Sequence, residues 1–171
     1  MTNAHSRFVS VEHVLRRAIS RRFDYDDFPL EYDPLEPRAR RFQKAGITGD
    51  PRISSGIVDG RHGSPSRMPA RYKAVIIQKE TSATEFINSK PPNPASSERP
   101  ATLDDIAAFI AAFPLVAMQH TTVCYNTGII DEGSGFFSHV GFEPDGKGFR
   151  AVVYDRRERK LLTDDLVIIR K

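Results

Sequence analysis

Residues 139–155 read HVGFEPDGKGFRAVVYD and contain the clearest structural signal in the chain. The central PDGKG, residues 144–148, favours a tight turn, because proline fixes φ, aspartate bonds to nearby backbone and glycine adopts positive φ. Apolar segments rich in β-forming residues lie on both sides of this turn, at Phe136–Phe142 and Phe149–Tyr154. The pattern predicts a β-hairpin.

Three further segments are rich in β-forming residues and are also predicted to be strands: Lys73–Lys79, Leu115–Tyr125 and Leu161–Ile169. The sequence therefore predicts a mostly antiparallel sheet of about five strands. Two amphipathic helices are expected to pack on this sheet, which gives an α+β fold.

The two helices are predicted from apolar residues at helical spacing. One begins after Ser10, a residue suited to N-capping. Its apolar positions are Val11, Val14, Leu15, Ala18 and Ile19. The other begins after Thr102, whose spacing to Asp105 fits a capping box, and it ends before Pro114. Its apolar positions are Leu103, Ile106, Ala107, Ile110 and Phe113.

Residues 24–72 show no sustained hydrophobic period and contain many prolines. We therefore predict that residues 1–72 form an N-terminal helix and a long, irregular, extended Pro/Arg-rich arm, and that residues 73–171 form an α+β core domain. Arginine guanidinium groups suit carboxylates, phosphates and aromatic faces, and they cluster in the first part. The candidate partner-binding residues are Arg16, Arg17, Arg21 and Arg22 of the helix and Arg38, Arg40 and Arg41 of the arm.

The formal net charge is +3, and the chain contains a single cysteine, Cys124. Such a mild charge does not require nucleic acid, so the expected partners are other protein subunits, copies of this chain included, with nucleic acid bound only nonspecifically. A lone cysteine forms no internal disulfide, and no apolar run reaches the about 18 residues of a membrane helix. We expect an intracellular protein, in the cytoplasm or a virion, without a membrane partner. Residues 1–23 contain one acid, Glu12, and also resemble a mitochondrial transit peptide.

The candidate catalytic residues are Cys124, His139 and Asp155. A cysteine nucleophile needs a base that forms the thiolate and a third group that orients the base. The order Cys, His, Asp and the stretch 139–155 resemble the end of transglutaminase-like cysteine enzymes, and this resemblance implies those roles for the three residues. It covers 17 of 171 residues. Cys124 departs from the family pattern, because it lies in a predicted strand and not at a helix start. Hairpin pairing allows Cys124 to lie opposite Phe137–His139, so contact between Cys124 and His139 is geometrically possible.

Other short motifs are incomplete. His62-Gly63-Ser64 and His120-Thr121-Thr122 resemble histidine motifs of two-histidine phosphoesterases and ADP-ribosyltransferases, without the remaining motifs of either family. His120 and Cys124 would lie about 13 Å apart in a strand, so no metal site is predicted. Residues 133–135 are glycine-rich but lack the features of a P-loop, and no cofactor is predicted.

Two functions follow from these observations. The first is a non-catalytic structural or interaction subunit of a larger assembly, similar to a virion connector or a ribonucleoprotein subunit, that contacts partners through its Arg-rich helix and arm. The alternative is a small cysteine-dependent hydrolase or transferase that uses Cys124, His139 and Asp155, of the kind found among bacterial effectors. The lack of a complete active-site motif favours the first.

Overall fold

The computed structural model describes residues 23–49, 51–54, 69–82, 85–86, 98–130, 137–155 and 160–171. The helices are α1 (Arg38–Lys44), α2 (Pro51–Ser54), α3 (Leu103–Ala112) and α4 (Pro114–Ala117). The strands are β1 (Phe28–Leu30), β2 (Ile47–Gly49), β3 (Ala70–Ile76), β4 (Arg99–Pro100), β5 (Thr122–Ile130), β6 (Phe137–Pro144), β7 (Phe149–Asp155) and β8 (Leu166–Arg170). The helix predicted after Ser10 lies outside the described residues.

The described strands form one mixed sheet in the order β1-β3-β8-β5-β6-β7-β2, and β4 also pairs with β8. The pairs β2–β7 and β5–β8 are parallel, and the other strand pairs are antiparallel. The mixed α and β composition is confirmed, but the eight-stranded sheet is larger than the five strands predicted. The difference arises because β1, β2 and β4 are two or three residues long and have no readable hydrophobic period.

The β6–β7 hairpin forms at the predicted place, with Pro144 opposite Phe149. The side chain of Asp145 accepts hydrogen bonds from the backbone N–H groups of Lys147 (3.0 Å) and Gly148 (2.9 Å). Gly146 has a φ of 81°, which favours glycine. The hairpin is therefore closed by the turn residues that the sequence indicates, Asp145 through its hydrogen bonds and Gly146 through its positive φ.

The strand predicted at Leu115–Tyr125 is wrong in its first half. Pro114 occupies the first turn of α4, where a missing N–H costs nothing, and Val116 and Ala117 are buried there. The last strand also begins later than predicted, at Leu166, because Asp164 adopts a φ of 73° just before it. Upstream of this break, Leu161 forms an isolated bridge with Thr81.

Helix α3 lies on one face of the sheet and forms the centre of the larger core. Its Thr102–Asp105 capping box is present as predicted. Leu103, Ile106 and Phe109 are at most 1% exposed within this core. A smaller apolar cluster, which includes Val123 and Val167, covers the opposite face.

Part of the predicted arm belongs to the sheet. Strand β1 pairs with β3, with Phe28 opposite Tyr72, and β2 pairs with β7, with Gly49 opposite Ala151. The described residues of the arm are therefore held at both edges of the sheet. The division into residues 1–72 and 73–171 stays a prediction, and β3 crosses its boundary.

Candidate functional site

The predicted catalytic residues lie on three adjacent strands: Cys124 on β5, His139 on β6 and Asp155 on β7. Cys124 is in register with Val140 and not with one of the residues 137–139, and His139 is in register with Tyr154. Directly opposed residues share a face and successive residues alternate, so Cys124 and His139 belong to opposite faces of the sheet. Asp155 is in register with Ser138. The structure therefore does not bring Cys124 and His139 together.

The surroundings of Cys124 are those of a core residue. It is 1% exposed, it belongs to the larger apolar core, and its thiol donates a hydrogen bond to the carbonyl of Ala101 at 3.4 Å. A buried thiol of this kind packs like a small apolar side chain. The catalytic role of Cys124, His139 and Asp155 stays a prediction, and this geometry weighs against it.

The predicted partner-binding arginines fall into two groups. Arg16, Arg17, Arg21 and Arg22 lie outside the described residues. Arg38, Arg40 and Arg41 are in α1, whose last turn also contains Lys44. Arg40 has a 71% exposed side chain and a long ion pair with Glu36 at 3.6 Å. It is the member of the second group that faces solvent.

Arg38 and Arg41 instead bind Asp104, and we call these three residues the arginine–aspartate cluster. Arg38 donates to both carboxylate oxygens, from Nε at 3.1 Å and from Nη2 at 2.8 Å. Arg41 donates from Nη1 to Oδ1 of the same carboxylate. All three side chains are at most 12% exposed. Partner binding by Arg38 and Arg41 stays a prediction, but both guanidinium groups already bind within the chain.

The adjacent acid, Asp105, binds two tyrosines. Its Oδ1 accepts hydrogen bonds from the hydroxyls of Tyr32 (2.8 Å) and Tyr72 (2.7 Å), while its Oδ2 caps the backbone N–H of Thr102 (2.9 Å). Burial, and then the negative charge of Asp105, raises the pKa of both tyrosines well above the usual value. They therefore stay protonated as donors, which is a structural role and not that of an acid or base near neutral pH.

Arg41 also supports a surface turn, Asp33–Glu36, which we call the Leu35 turn. Its Nη2 donates to the carbonyls of Asp33 and Glu36, each at 2.8 Å, and its guanidinium lies 4.6 Å from the ring centroid of Tyr32. Within the turn, the Asp33 carboxylate accepts from the N–H of Leu35 at 2.9 Å. The Leu35 side chain at the tip is 89% exposed. A buried cation thus fixes the backbone under an exposed leucine.

A second feature is a groove of about 380 Å³ between the end of α4 and the loop before β8, which we call the Met118 groove. Its lining includes Met118, Pro144, Leu162, His120, Asp164 and Asp165. The Nδ1–H of His120 donates to the carbonyl of Asp164 at 3.0 Å, which joins the two walls. Two acids line the groove in the described part of the chain, Asp164 and Asp165. Asp164 is exposed. Asp165 is 4% exposed, and its carboxylate accepts a hydrogen bond from the backbone N–H of Leu162 at 2.8 Å.

Sequence reasoning missed both features. Asp104 and Asp105 are adjacent acids at the start of a helix, which is a signal for capping and not for an ion pair with residues 63 or 66 positions away. The Met118 groove forms because the end of α4 lies beside the loop before β8, and no local sequence pattern indicates that these two segments are neighbours. Among the described residues, no group of three His, Cys, Asp or Glu side chains is placed to hold a metal ion.

Comparison with models of known families, with curated protein sequences and with solved structures finds no match to this chain. Within the described ranges, no helix has the length and apolar character that crossing a membrane requires.

Proposed function

We propose that this chain is a non-catalytic structural or interaction subunit of a larger protein assembly. The contact residues proposed are Leu35, Arg40 and the arginines Arg16, Arg17, Arg21 and Arg22. The observation that carries the proposal is the Leu35 turn, in which a buried side chain, Arg41, holds the backbone that presents an 89% exposed leucine.

An exposed leucine on a turn with a fixed backbone is suited to binding because the cost of ordering that backbone is already met in the free protein. Burying one leucine against a partner contributes about 1.5–3 kcal/mol. Ordering a free side chain and loop at an interface costs about 0.5–1.5 kcal/mol per immobilised side chain. Two bonds from Arg41 and one from Asp33 hold the backbone of the Leu35 turn, so the part of this cost that belongs to the loop is already met.

The charges beside the turn indicate the chemistry of the partner. The carboxylate of Glu36 lies between Arg40 and Lys44, whose side chains are 71% and 59% exposed. An acidic protein surface would meet these cations while an apolar pocket accepts Leu35. Partners that fit this description include other subunits and further copies of the chain, whose residues 24–36 are rich in acids.

The polar residues that resemble an active site support a structural role. Cys124 and His139 belong to opposite faces of the sheet. Asp104 and Asp105 are used by Arg38, Arg41, and the two tyrosine hydroxyls, so they tie the arm to α3. The burial of the Asp104 and Asp105 carboxylates is therefore explained by contacts within the chain, and no substrate is needed to account for it.

The test is gel filtration of extracts from cells that naturally produce the protein. The wild-type chain is expected to elute in a complex larger than the single chain, and Leu35→Asp is expected to elute as the free chain. The matched control is Gln78→Asp, which introduces the same charge at another exposed position. Circular dichroism of the purified variants verifies that both are folded.

Two outcomes would contradict the proposal. In one, the wild-type chain elutes as a single free chain. In the other, Leu35→Asp stays in the complex as well as Gln78→Asp does.

A further inference from the structure

The Leu35 turn projects an apolar side chain, and the Met118 groove provides an apolar recess. The large apolar side chains exposed in the described residues are Leu35, Leu115, Met118 and Leu162. Met118 and Leu162 line the groove from two different segments, the end of α4 and the loop before β8. Leu35 lies at the tip of its turn and is 89% exposed. The surface of the chain therefore carries both a projecting apolar group and a recess with apolar walls.

The charges beside these two features are opposite. Arg40 and Lys44, whose side chains are 71% and 59% exposed, both contact Glu36 of the Leu35 turn. In the lining of the groove, the exposed charged side chain is Asp164. No lysine or arginine is among the described residues that line the groove. Opposite charges therefore adjoin the apolar groups of the turn and of the groove, which favours contact between the two surfaces.

The turn and the groove belong to opposite ends of β8. The groove contains Asp165, the residue that directly precedes this strand. At the other end, Arg170, the last residue of β8, lies opposite Tyr72. The hydroxyl of Tyr72 shares the acceptor Asp105 with the hydroxyl of Tyr32, which directly precedes the turn. The two ends of β8 are about 13 Å apart. The exposed leucine of the turn therefore does not fill the groove of its own chain.

We propose that the Met118 groove of one copy of this chain binds the Leu35 turn of a second copy. Leu35 enters the groove against Met118 and Leu162, and the basic side chains of α1 meet Asp164. The inference rests on the proposed function, because it names the partner of the Leu35 turn. The contact joins two different surfaces of identical chains, so it is heterologous. After the first contact, one copy keeps an unused turn and the other an unused groove.

The size of the groove agrees with this occupant. Its volume of about 380 Å³ is near the lower end of the range of about 300–1,000 Å³ for pockets that bury a small molecule. Leu35 and the adjacent Pro34 are both exposed and form an apolar tip of two residues. This tip is smaller than a typical small-molecule ligand, so the groove is large enough to receive it.

The test is sedimentation velocity of the purified full chain and of two variants, each with one altered surface. Leu35→Asp alters the turn and keeps the groove, whereas Met118→Asp alters the groove and keeps the turn. The wild-type chain is expected to associate as its concentration is raised from about 1 µM to about 1 mM. Each variant alone is expected to associate at least about tenfold more weakly, because an apolar contact would then bury a carboxylate. If circular dichroism shows that Met118→Asp is unfolded, Leu162→Asp alters the other wall of the groove instead.

Mixing the two variants tests whether the turn of one copy meets the groove of another. Leu35→Asp still has its groove and Met118→Asp still has its turn, so the mixture is expected to form a one-to-one dimer and no larger species. The matched control replaces one of the two by a chain with both substitutions, and this mixture is expected to stay monomeric. A mixture of the single variants that stays monomeric would overturn the proposal. Single variants that associate as strongly as the wild-type chain would also overturn it.

Failure of this contact and failure of the assembly function give different results. A purified wild-type chain that stays monomeric at every concentration overturns the contact between copies. If Leu35→Asp nevertheless leaves the complex in cell extracts, the assembly function stands and the turn binds a different protein. If the two purified variants form their dimer while the wild-type chain elutes alone from extracts, the contact is supported and the assembly function is overturned.

A second measurement tests the charges. Asp164 has a φ of 73°, a conformation that asparagine also adopts, so Asp164→Asn removes the charge and keeps the backbone. The self-association of this variant is expected to be about three- to tenfold weaker than that of the wild-type chain and less sensitive to salt. Unchanged self-association would overturn the pairing of Asp164 with the basic side chains of α1.

Discussion

Arg41 and Asp104 form a buried ion pair that joins α1 to α3, two helices whose paired residues are 63 positions apart in the sequence. Their side chains are 6% and 10% exposed. The same Arg41 side chain bonds the carbonyls of Asp33 and Glu36, so one residue connects the surface turn, α1 and α3. The first prediction follows from this position.

Replacing Arg41 by methionine is expected to lower the free energy of unfolding by about 3 kcal/mol, because a buried Asp104 carboxylate loses one of its two cationic partners. Arg41→Lys is expected to recover only part of this loss, since an ammonium group lacks the fork that reaches Asp104 and the two carbonyls together. Urea denaturation of the purified chain measures both effects.

Arg40→Met is the matched control, because Arg40 is the neighbouring residue but its side chain is 71% exposed. We expect a change of less than about 1 kcal/mol there. Equal losses for the Arg41 and Arg40 variants would show that the arginine–aspartate cluster does not hold the arm.

The second prediction concerns the two tyrosines on Asp105. Tyr72→Phe removes one hydrogen bond to a buried carboxylate and is expected to cost about 1.5–3 kcal/mol of unfolding free energy. The double variant with Tyr32→Phe is expected to cost more than the sum of the two single variants, because the Oδ1 of Asp105 then loses both tyrosine donors. Thermal and urea denaturation report these values.

Tyr25→Phe is the comparison for this series, since the ring of Tyr25 packs edge-on against Phe23 at 4.8 Å and is not bonded to Asp105. Its unfolding free energy should stay close to that of the wild-type chain. Strict additivity of the Tyr72 and Tyr32 variants would indicate that the two hydroxyls do not share one acceptor.

The parts of the fold that the sequence predicts are the ones determined by neighbouring residues. The 144–148 turn closes through Asp145 and its own next residues, and the capping box at Thr102–Asp105 bonds within four residues. Short-range hydrogen bonds of this kind leave a signature in residue type and spacing. These hydrogen bonds can therefore be predicted from the sequence.

The parts that the sequence does not predict depend on distant partners. Strands β1 and β2 are three residues each, and they become strands only because β3 and β7 offer free edges. In the sequence, Asp104 has the features of an ordinary acid in the first turn of a helix. Its ion pairs form only in the folded chain, where α1 places the guanidinium groups of Arg38 and Arg41 against it. The exposure of Leu35 has no signature in the sequence, since it depends on how Arg41 holds the turn.

The third prediction concerns Gly148, which lets β2 approach the hairpin. A Cβ at this position would lie 2.4 Å from the carbonyl oxygen of Gly46, while the N–H of the next residue, Phe149, bonds the same oxygen at 3.0 Å. Gly148→Ala is therefore expected to displace β2 and to lower the free energy of unfolding by about 1–3 kcal/mol. Faster amide exchange at Phe149 is the direct measurement.

Lys147→Ala serves as the control, because Lys147 is exposed in the same turn. It should leave the exchange rate of Phe149 unchanged. A Gly148→Ala chain that exchanges at the rate of the Lys147→Ala chain would show that the close approach is not required.

The fourth prediction is a pH dependence at Asp27. Hydrogen bonds from Arg71 and then Lys171 lower the pKa of this carboxyl from its ordinary value of 3.8 to about 2. Because the pKa of Asp27 is lower in the folded chain than in the unfolded chain, its contacts with Arg71 and Lys171 stabilise the fold fully when the pH is above the unfolded-state pKa. This contribution disappears as the pH falls through the folded-state pKa. The melting temperature of the wild-type chain should therefore fall more steeply between pH 4 and pH 2 than that of Asp27→Asn.

Asp26→Asn provides the comparison for this titration, since it removes the adjacent carboxylate and leaves the Asp27 contacts in place. Its melting temperature should follow the wild-type curve. If Asp27→Asn also follows that curve, the ion pairs with Arg71 and Lys171 do not contribute to stability.

The fifth prediction separates the interaction subunit from the cysteine-dependent alternative. The thiol of Cys124 is 1% exposed and donates to the Ala101 carbonyl, so a reagent reaches it only when this part of the fold opens. We expect labelling at neutral pH to be at least about 100-fold slower in the native chain than in urea, because opening of a core strand is rare. A chain with Gln78→Cys provides an exposed thiol for comparison, and mass spectrometry assigns each label. A native Cys124 that reacts faster than the thiol at position 78 would mean that the sulfur is accessible and activated, and the hydrolase or transferase function would then be preferred over the subunit proposed here.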